Sequence, residues 1–324
     1  MEWDDGDAPP DAGLHVHEEC AKSILAENES PDLPFRWSVN PYRGCYHGCI
    51  YCYARPSHQY LGWGAGSDFE RELVVKTNAP ELLAAAFDKP GWKGELITFS
   101  GNTDCYQPLE ARYRLTRRCL EVCARYGNPI TVVTKNALVA RDIDVLQQLS
   151  RSASVKVFFS IPFADDAIAR AVEPGASPAS RRFEALGAVS AAGIETGVAM
   201  APLIAGLNDR MIGDVLRRAR ETGAQHAFTI ALRLPAEVGP VFEARLRENL
   251  PEQADKVLRA VRETRGGKLN ESRFGARMRG AGPRWKAIED LFELEARRLG
   301  MNTQRVAERA PTFRRPTRQL TLLE

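Results

Sequence analysis

Short runs of β-branched and aromatic residues alternate with longer amphipathic stretches through the middle of the chain. In the longer stretches apolar residues recur every three to four positions, which is typical of helices with one buried face. Glycines such as Gly127, Gly193 and Gly223 follow these stretches and are typical of helix ends. The short runs predict six β-strands, at residues 35–40, 96–99, 130–134, 155–160, 194–200 and 227–232. The longer stretches predict helices at residues 80–88, 109–126, 141–149, 181–192 and 209–221.

Strands that alternate with helices indicate βαβ units, a parallel sheet and right-handed crossovers. Six such units fit an α/β fold of the partial (β/α)6 TIM-type barrel kind, because a complete barrel needs two more strands. A doubly wound open sheet is the alternative that the alternation alone leaves open. In both architectures we expect ligands at the carboxyl ends of the strands.

The pattern divides the chain into four parts. Residues 1–34 are acidic and are expected to be partly disordered, with a short helix within residues 14–25. Residues 35–235 carry the predicted barrel. Residues 236–300 have helical periodicity at 241–249, 251–264 and 284–299 with no strand between, which predicts a helical C-terminal extension. Residues 301–324 form a basic tail, either a solvated arm or a contact for a nucleic acid backbone.

Composition limits the expected domain size, partners and cellular compartment of the protein. The 324 residues, 44% of them hydrophobic, suffice for one large α/β domain or two small ones. A net charge of +2 gives no bulk indication of a polyanionic partner. We find no run of about 18 apolar residues and no signal-peptide pattern, so no membrane association is expected. The seven cysteines, an odd number with three in one motif, favour a reducing compartment and a cytoplasmic location.

Three cysteines lie close together in the sequence. Cys45, Cys49 and Cys52 have the spacing C-x3-C-x2-C. Thiolates bind iron–sulfur clusters and zinc. A structural zinc site normally has four protein ligands, and no second C-x2-C pair occurs in the chain, so a cluster with one open position fits better. Gly44 and Gly48 allow the backbone to curl around such a group.

This motif resembles the signature of the radical S-adenosylmethionine (SAM) enzymes, in which an aromatic residue, here Tyr51, precedes the last cysteine. The longer context through residues 54–58 resembles the branch related to spore photoproduct lyase. The resemblance implies a 4Fe–4S cluster on the three cysteines and SAM at the open iron. It also implies reductive cleavage of SAM to a 5′-deoxyadenosyl radical, which abstracts hydrogen from a substrate. An electron donor such as flavodoxin or ferredoxin is the expected partner, and the same resemblance implies a (β/α)6 partial barrel.

The strand ends supply the other candidate cofactor-binding residues. The second strand is followed by Thr103 and Asp104, which are candidates for accepting hydrogen bonds from the SAM ammonium group. Lys135 follows the third strand, and the resemblance assigns to it the SAM carboxylate. Ser160 ends the fourth strand, where the family has a hydroxyl near the SAM ribose or carboxylate. The alternatives are a helix cap and turn after the second strand and an exposed loop lysine after the third.

Cys105 is the candidate catalytic residue outside the cysteine motif. It lies in the loop after the second strand, and a thiol can donate a hydrogen atom to a carbon radical because its S–H bond is weak. Spore photoproduct lyase uses a cysteine of this loop in that way, but here Gly101 occupies the corresponding position. The alternative is an inert buried thiol. Cys119 and Cys123 share one helix face, for packing or for a second cluster with Cys105.

Three functions remain open from the sequence. The first is a radical SAM enzyme acting on an unidentified substrate. The second is a DNA-lesion repair lyase acting on pyrimidine photoproducts, with nucleic acid as its partner; Cys105 and the basic tail favour it. The third is a non-catalytic iron–sulfur or zinc-binding regulator, which would not need Thr103, Lys135 and Ser160.

Overall fold

The computed structural model describes residues 13–303 and 311–316. Its strands are β1 (His15–Glu19), β2 (Leu25–Glu27), β3 (Trp37–Val39), β4 (Tyr42–Arg43), β5 (Glu72–Lys76), β6 (Ile97–Phe99), β7 (Ile130–Thr134), β8 (Val155–Ser160), β9 (Glu195–Leu203) and β10 (His226–Ala231). The helices of these residues are α1 (Asp68–Arg71), α2 (Ala79–Asp88), α3 (Leu109–Tyr113), α4 (Leu115–Tyr126), α5 (Ile143–Ser150), α6 (Asp166–Val172), α7 (Ala179–Ala191), α8 (Ile212–Glu221), α9 (Val238–Asn249), α10 (Pro251–Glu263) and α11 (Gly282–Arg298).

One seven-stranded sheet forms the body of the protein, in the order β10-β9-β8-β7-β6-β3-β2. Six strands of this sheet run parallel to their neighbours, namely β3, β6, β7, β8, β9 and β10. The seventh strand, β2, pairs antiparallel with β3 at the edge. These six are the predicted strands, so the mixed α/β fold with a partial barrel is confirmed. The sheet is not closed, and its two edges are β10 and β2.

Side-chain alternation along the strands separates the core from the interior cavity. In β7, Ile130 and Val132 are fully buried, whereas Thr131 and Val133 line the cavity. Successive residues of a strand point to opposite faces, so the apolar set of β7 packs under the surrounding helices. The side chains of Thr131 and Val133 face the inside of the barrel.

Two local predictions about secondary structure are wrong. The expected helix at residues 14–25 is replaced by β1 and β2; β1 pairs in parallel with β5, which lies far along the chain. The single helix predicted for residues 109–126 is broken at Arg114, which has a φ of 51°. The cause is the buried Glu110 carboxylate, which accepts hydrogen bonds from the backbone N–H groups of Thr116 and Arg117, at 2.9 and 3.1 Å, and so begins α4 as a new helix.

The C-terminal part contains α9, α10 and α11, as predicted from its periodicity. Of the predicted basic tail, residues 304–310 and 317–324 lie outside the described residues. Residues 311–316 lie at the end of the barrel where the strands begin, next to Gly94 and Gly127. There Phe313 packs on Phe87 and Tyr126, and Thr312 Oγ1 donates a hydrogen bond to Gly127 O at 2.8 Å. Within the described ranges, every helix is too short or too polar to cross a bilayer.

Candidate active site

The cysteine loop lies between β4 and a short 3₁₀ helix at Arg55–Leu61. Tight turns shape it, because Gly48 N donates to Cys45 O at 3.3 Å and Cys52 N donates to Cys49 O at 3.2 Å. Gly48 has a φ of +60°, and a Cβ atom there would lie 2.8 Å from Glu70 Oε2. Both facts require glycine at this position. All three cysteines of this loop line one cavity.

A cavity of about 1350 Å³ lies inside the partial barrel and reaches the cysteine loop. The walls are the inner faces of β6 to β10 and the loops that follow these strands. Most of the residues predicted from the sequence line it together: Cys45, Cys49, Tyr51, Cys52, Thr103, Asp104, Lys135 and Ser160.

Asp104 links the ends of β6 and β7. Its carboxylate accepts hydrogen bonds from Thr134 Oγ1 at 2.8 Å and from Lys135 N at 2.7 Å. His47 Nδ1 of the cysteine loop lies 3.6 Å from the same carboxylate. Asp104 therefore fixes the backbone that carries Lys135. The Lys135 ammonium lies 5.8 Å from the Tyr51 ring centroid and is not ion-paired with any carboxylate of the described residues.

The two predicted hydroxyl groups are already engaged. Thr103 Oγ1 donates to Tyr42 O at 3.0 Å and accepts from Asn40 Nδ2 at 2.7 Å. Ser160 Oγ donates to Ala201 O at 3.1 Å. A hydroxyl oxygen has two acceptor lone pairs, so Ser160 retains acceptor capacity toward the cavity. Thr103 uses its hydroxyl mainly to position the loop after β6.

Comparison with known proteins identifies the family. Residues 39–219, more than half of the chain, match the family model described as the radical SAM superfamily. This chain belongs to that superfamily. It is an enzyme of the radical SAM type.

Individual relatives of this radical SAM enzyme agree with that assignment. An uncharacterised protein of Mycobacterium tuberculosis (strain H37Rv) is 34% identical over 250 residues, 76% of this chain and 73% of the relative. An uncharacterised protein of Methanocaldococcus jannaschii is 29% identical over 174 residues, 54% of this chain and 62% of the relative. Spore photoproduct lyase complexed with dinucleoside spore photoproduct superposes with a TM-score of 0.63 at 16% identity, over 88% of this chain and 80% of that one. The last similarity shows a shared fold.

The donor atoms of the radical SAM motif fit an iron–sulfur cluster. Burial raises the pKa of Cys45 to about 12 and also raises those of Cys49 and Cys52. Iron bound there would offset that cost by stabilising the thiolates. A cluster spreads its ligands over several metal atoms, and three thiols on one wide cavity suit such a group. Among residues 13–303 and 311–316, no three histidine, cysteine or carboxylate side chains converge closely enough to hold a single metal ion.

Arg55 holds the cysteine loop from beneath, a role that the sequence reasoning did not assign. Its side chain is fully buried. The guanidinium donates to Gly48 O at 3.0 Å, to Cys49 O at 3.0 and 3.2 Å, and to Ala65 O and Gly66 O at 3.2 and 2.7 Å. The planar fork of arginine suits this set of acceptors. The available signal was an arginine three residues after the last cysteine of the motif.

Glu70 connects this network to the C-terminal extension. Its carboxylate accepts from Arg55 Nη2 at 2.9 Å. It also accepts two hydrogen bonds from Arg245 of α9, at 2.5 and 3.0 Å. The side chains of Glu70 and Arg245 are 17% and 24% exposed, so solvent screens this pair only partly. A helix outside the barrel thus contacts the peptide around Cys49 through two ion pairs.

A second buried network joins the cysteine loop to the end of β8. The Tyr51 hydroxyl donates to the Glu173 carboxylate. Arg182 Nη2 lies 2.6 Å from Glu173 Oε2, and Arg182 Nη1 donates to Ser160 O at 2.8 Å. Burial, with Glu173 beside it, keeps the pKa of Tyr51 well above its ordinary value, so the ring is neutral. The network fixes the Tyr51 ring under the Lys135 ammonium.

Cys105 lies apart from these groups. Its side chain is fully buried in the main hydrophobic core and is not among the residues that line the cavity. Burial raises the pKa of its thiol well above the ordinary value. Its placement gives no geometric support to the predicted hydrogen-donor role and matches the alternative of an inert thiol. Cys119 and Cys123 are also buried in this core, as the packing interpretation requires.

Proposed function

We propose that Cys45, Cys49 and Cys52 bind a 4Fe–4S cluster and that the adjoining cavity binds SAM beside it. When bound, these groups supply a 5′-deoxyadenosyl radical, which abstracts hydrogen from a substrate. The observation that carries this proposal is that three thiols, Tyr51 and the strand-end residues line one cavity. A regulator without catalysis would not need these strand ends arranged around the thiols.

The residues around the cavity divide the recognition of SAM. Lys135 is the partner for the methionyl carboxylate, because its ammonium points at the cavity and is not ion-paired with a described carboxylate. The loop of Thr103 and Asp104 supplies carbonyl and carboxylate oxygens toward the SAM ammonium. Ser160 accepts a hydrogen bond from a ribose hydroxyl. The buried Tyr51 ring packs beside the carboxylate site and excludes water from it.

Reductive cleavage of SAM requires one electron, and a small electron carrier such as flavodoxin or ferredoxin is the proposed source. Cys52 is the least buried of the three cysteines. A DNA-lesion lyase is less favoured, because Gly101 stands at the lyase cysteine position and Cys105 is buried away from the cavity.

The test is anaerobic reconstitution with iron and sulfide, followed by reduction and assay of 5′-deoxyadenosine. We expect the parent to form the product and Cys49→Ala to lose both cluster absorbance and product. Cys123→Ala is the matched control, because it removes a buried thiol outside the cavity. A Cys49→Ala protein that retains full cluster absorbance would contradict the ligand assignment.

A further inference from the structure

Two arginines line the cavity near the end of β10. Arg233 follows β10 and is partly buried, and Arg279 lies on the adjoining loop and is exposed. Neither is ion-paired with a carboxylate of the residues that the structure describes. The Arg233 guanidinium carbon lies 5.4 Å from the centroid of the Tyr53 ring, and its Nη1 lies 3.7 Å from Met278 Sδ. Tyr53 and Met278 contact this cation without forming an ion pair with it, and Asp32, whose carboxylate is bonded to Arg277, acts on it only through space.

The carboxylates that line the cavity are occupied by other partners. Asp32 accepts hydrogen bonds from Arg277 Nε and Gly275 N, at 2.5 and 2.6 Å. Glu195 contacts Lys156 and His226 at 2.7 and 2.5 Å, and these contacts lower its pKa to about 2. Asp104 accepts hydrogen bonds from Thr134 and Lys135 at the end of β7, and Glu95 accepts from Lys93 N at 3.3 Å. Asp32 and Glu195 are thus ion-paired with other groups, whereas Lys93, Lys135, Arg233 and Arg279 line the cavity and form no ion pair among the described residues.

The backbone that presents the two arginines is firmly held. Buried Arg265 donates to Leu232 O at 2.5 Å, to Arg277 O at 3.2 Å and to Arg279 O. Ala231 N donates to Met278 O at 3.0 Å, so this loop extends the edge of β10. On the opposite side the Tyr53 hydroxyl donates to Gly101 O at 2.6 Å, which fixes the ring under Arg233. A fixed cation over a fixed ring needs little reorganisation to bind a ligand.

Lys135 and Arg233 belong to different parts of the cavity wall. They follow β7 and β10, which are separated by β8 and β9 in the sheet, roughly 14 Å along it at the usual strand spacing. Lys135 stands over the Tyr51 ring and Arg233 over the Tyr53 ring. SAM has one carboxylate, and the proposed function assigns it to Lys135. An anion on another molecule is left for Arg233.

We infer that Arg233, with Arg279 beside it, is the recognition site for an oxyanion of the substrate, a phosphate or a carboxylate group. The inference rests on the proposed function, which supplies the reacting radical and the SAM carboxylate site. Arginine binds either oxyanion bidentately. The substrate is thus an anionic molecule that enters beside Tyr53 and extends along the β10 wall of the cavity.

The experiment measures two affinities on the reconstituted full-length protein at constant ionic strength. Inorganic phosphate and acetate are the anion probes, titrated against a chloride background, and SAM is titrated separately. Arg233→Gln should weaken binding of the preferred probe by roughly ten- to hundredfold, as for the loss of a hydrogen bond to a charged group. SAM affinity should stay within about twofold. Arg233→Lys should retain part of the anion affinity and covers the case in which the glutamine variant does not fold.

Arg273→Gln is the matched control, because Arg273 is exposed on the same loop and pairs with Glu271 at 2.9 Å. Phosphate as the better probe indicates a phosphorylated substrate, and acetate a carboxylic acid. Undiminished probe binding to Arg233→Gln, or no binding of either probe to the parent, would overturn the inference. An equal loss of SAM affinity would overturn it by assigning Arg233 to SAM. A parent that binds a probe through Arg233 but does not bind SAM refutes the proposed function and still supports the anion site.

Discussion

Replacing Arg55 by lysine tests whether the buried guanidinium shapes the cysteine loop. The substitution keeps the charge and much of the stem but replaces a planar five-donor fork by a point ammonium. Arg55 donates to four carbonyl oxygens and one carboxylate oxygen, all within 3.2 Å. Two of those carbonyls belong to Gly48 and Cys49. Losing these hydrogen bonds therefore directly affects the backbone of Cys49, one of the three proposed cluster ligands.

The magnitude follows from the number of acceptors. A lysine ammonium has three donors, so at least two of the five acceptors lose their partner. Each buried acceptor left unsatisfied costs about 1–3 kcal/mol, which gives a loss of roughly 2–6 kcal/mol in the free energy of unfolding. Glu70 retains Arg245 as a partner, which favours the lower half of that range. Arg247→Lys is the control: Arg247 is 49% exposed, and exposed pairs contribute about 0–1 kcal/mol.

The assay is urea unfolding followed by circular dichroism, together with iron content after anaerobic reconstitution. We expect Arg55→Lys to unfold at clearly lower urea concentration and to retain less iron per chain than the parent. Arg247→Lys should match the parent in both measurements. If Arg55→Lys equals its control in unfolding free energy and holds a full complement of iron, then the hydrogen bonds of Arg55 do not determine the loop.

The remaining predictions concern single side chains of the cavity and core. Lys135→Gln should weaken SAM binding by roughly ten- to hundredfold with unchanged cluster absorbance, whereas Lys93→Gln at the cavity rim should not; equal affinities in equilibrium titration would remove Lys135 from the site. Cys105→Ala should leave the iron content and the yield of 5′-deoxyadenosine unchanged, because the thiol lies in the core and outside the cavity; a loss of bound iron or of product, measured by iron analysis and chromatography, would contradict that placement. Glu195 has its pKa lowered to about 2, so its contribution to stability is present above its ordinary pKa and is lost as pH falls toward 2. The difference in unfolding midpoint between the parent and Glu195→Gln should accordingly shrink between pH 6 and pH 3, and a constant difference would contradict that linkage.

The strands of the barrel could be predicted because their signal is local. Runs such as Ile130–Thr134 contain consecutive β-branched residues, and the structure has β7 at those bounds. β1 could not be predicted in this way, because its partner β5 lies far along the chain and supplies all of the pairing. The break at Arg114 was also beyond local periodicity, since it depends on a buried carboxylate that begins the next helix.

In the candidate site, too, local sequence signals predicted some residues and missed others. The spacing of Cys45, Cys49 and Cys52 and the positions of Lys135 and Ser160 at strand ends are sequence properties, and these residues line one cavity. The contacts of Arg55 are mostly with backbone carbonyls, which no side-chain pattern reveals. Cys105 illustrates the opposite error: it occupies a promising loop, yet the chain turns its side chain into the core.

The central claim is that three thiolates hold a cluster that binds SAM directly. The most direct measurement is electron paramagnetic resonance of the anaerobically reconstituted, reduced protein before and after addition of SAM. The account predicts a reduced 4Fe–4S signal whose shape changes on addition of SAM and which is absent in Cys49→Ala. A 4Fe–4S signal that does not change when SAM is added, or one that is still present in Cys49→Ala, would contradict this account.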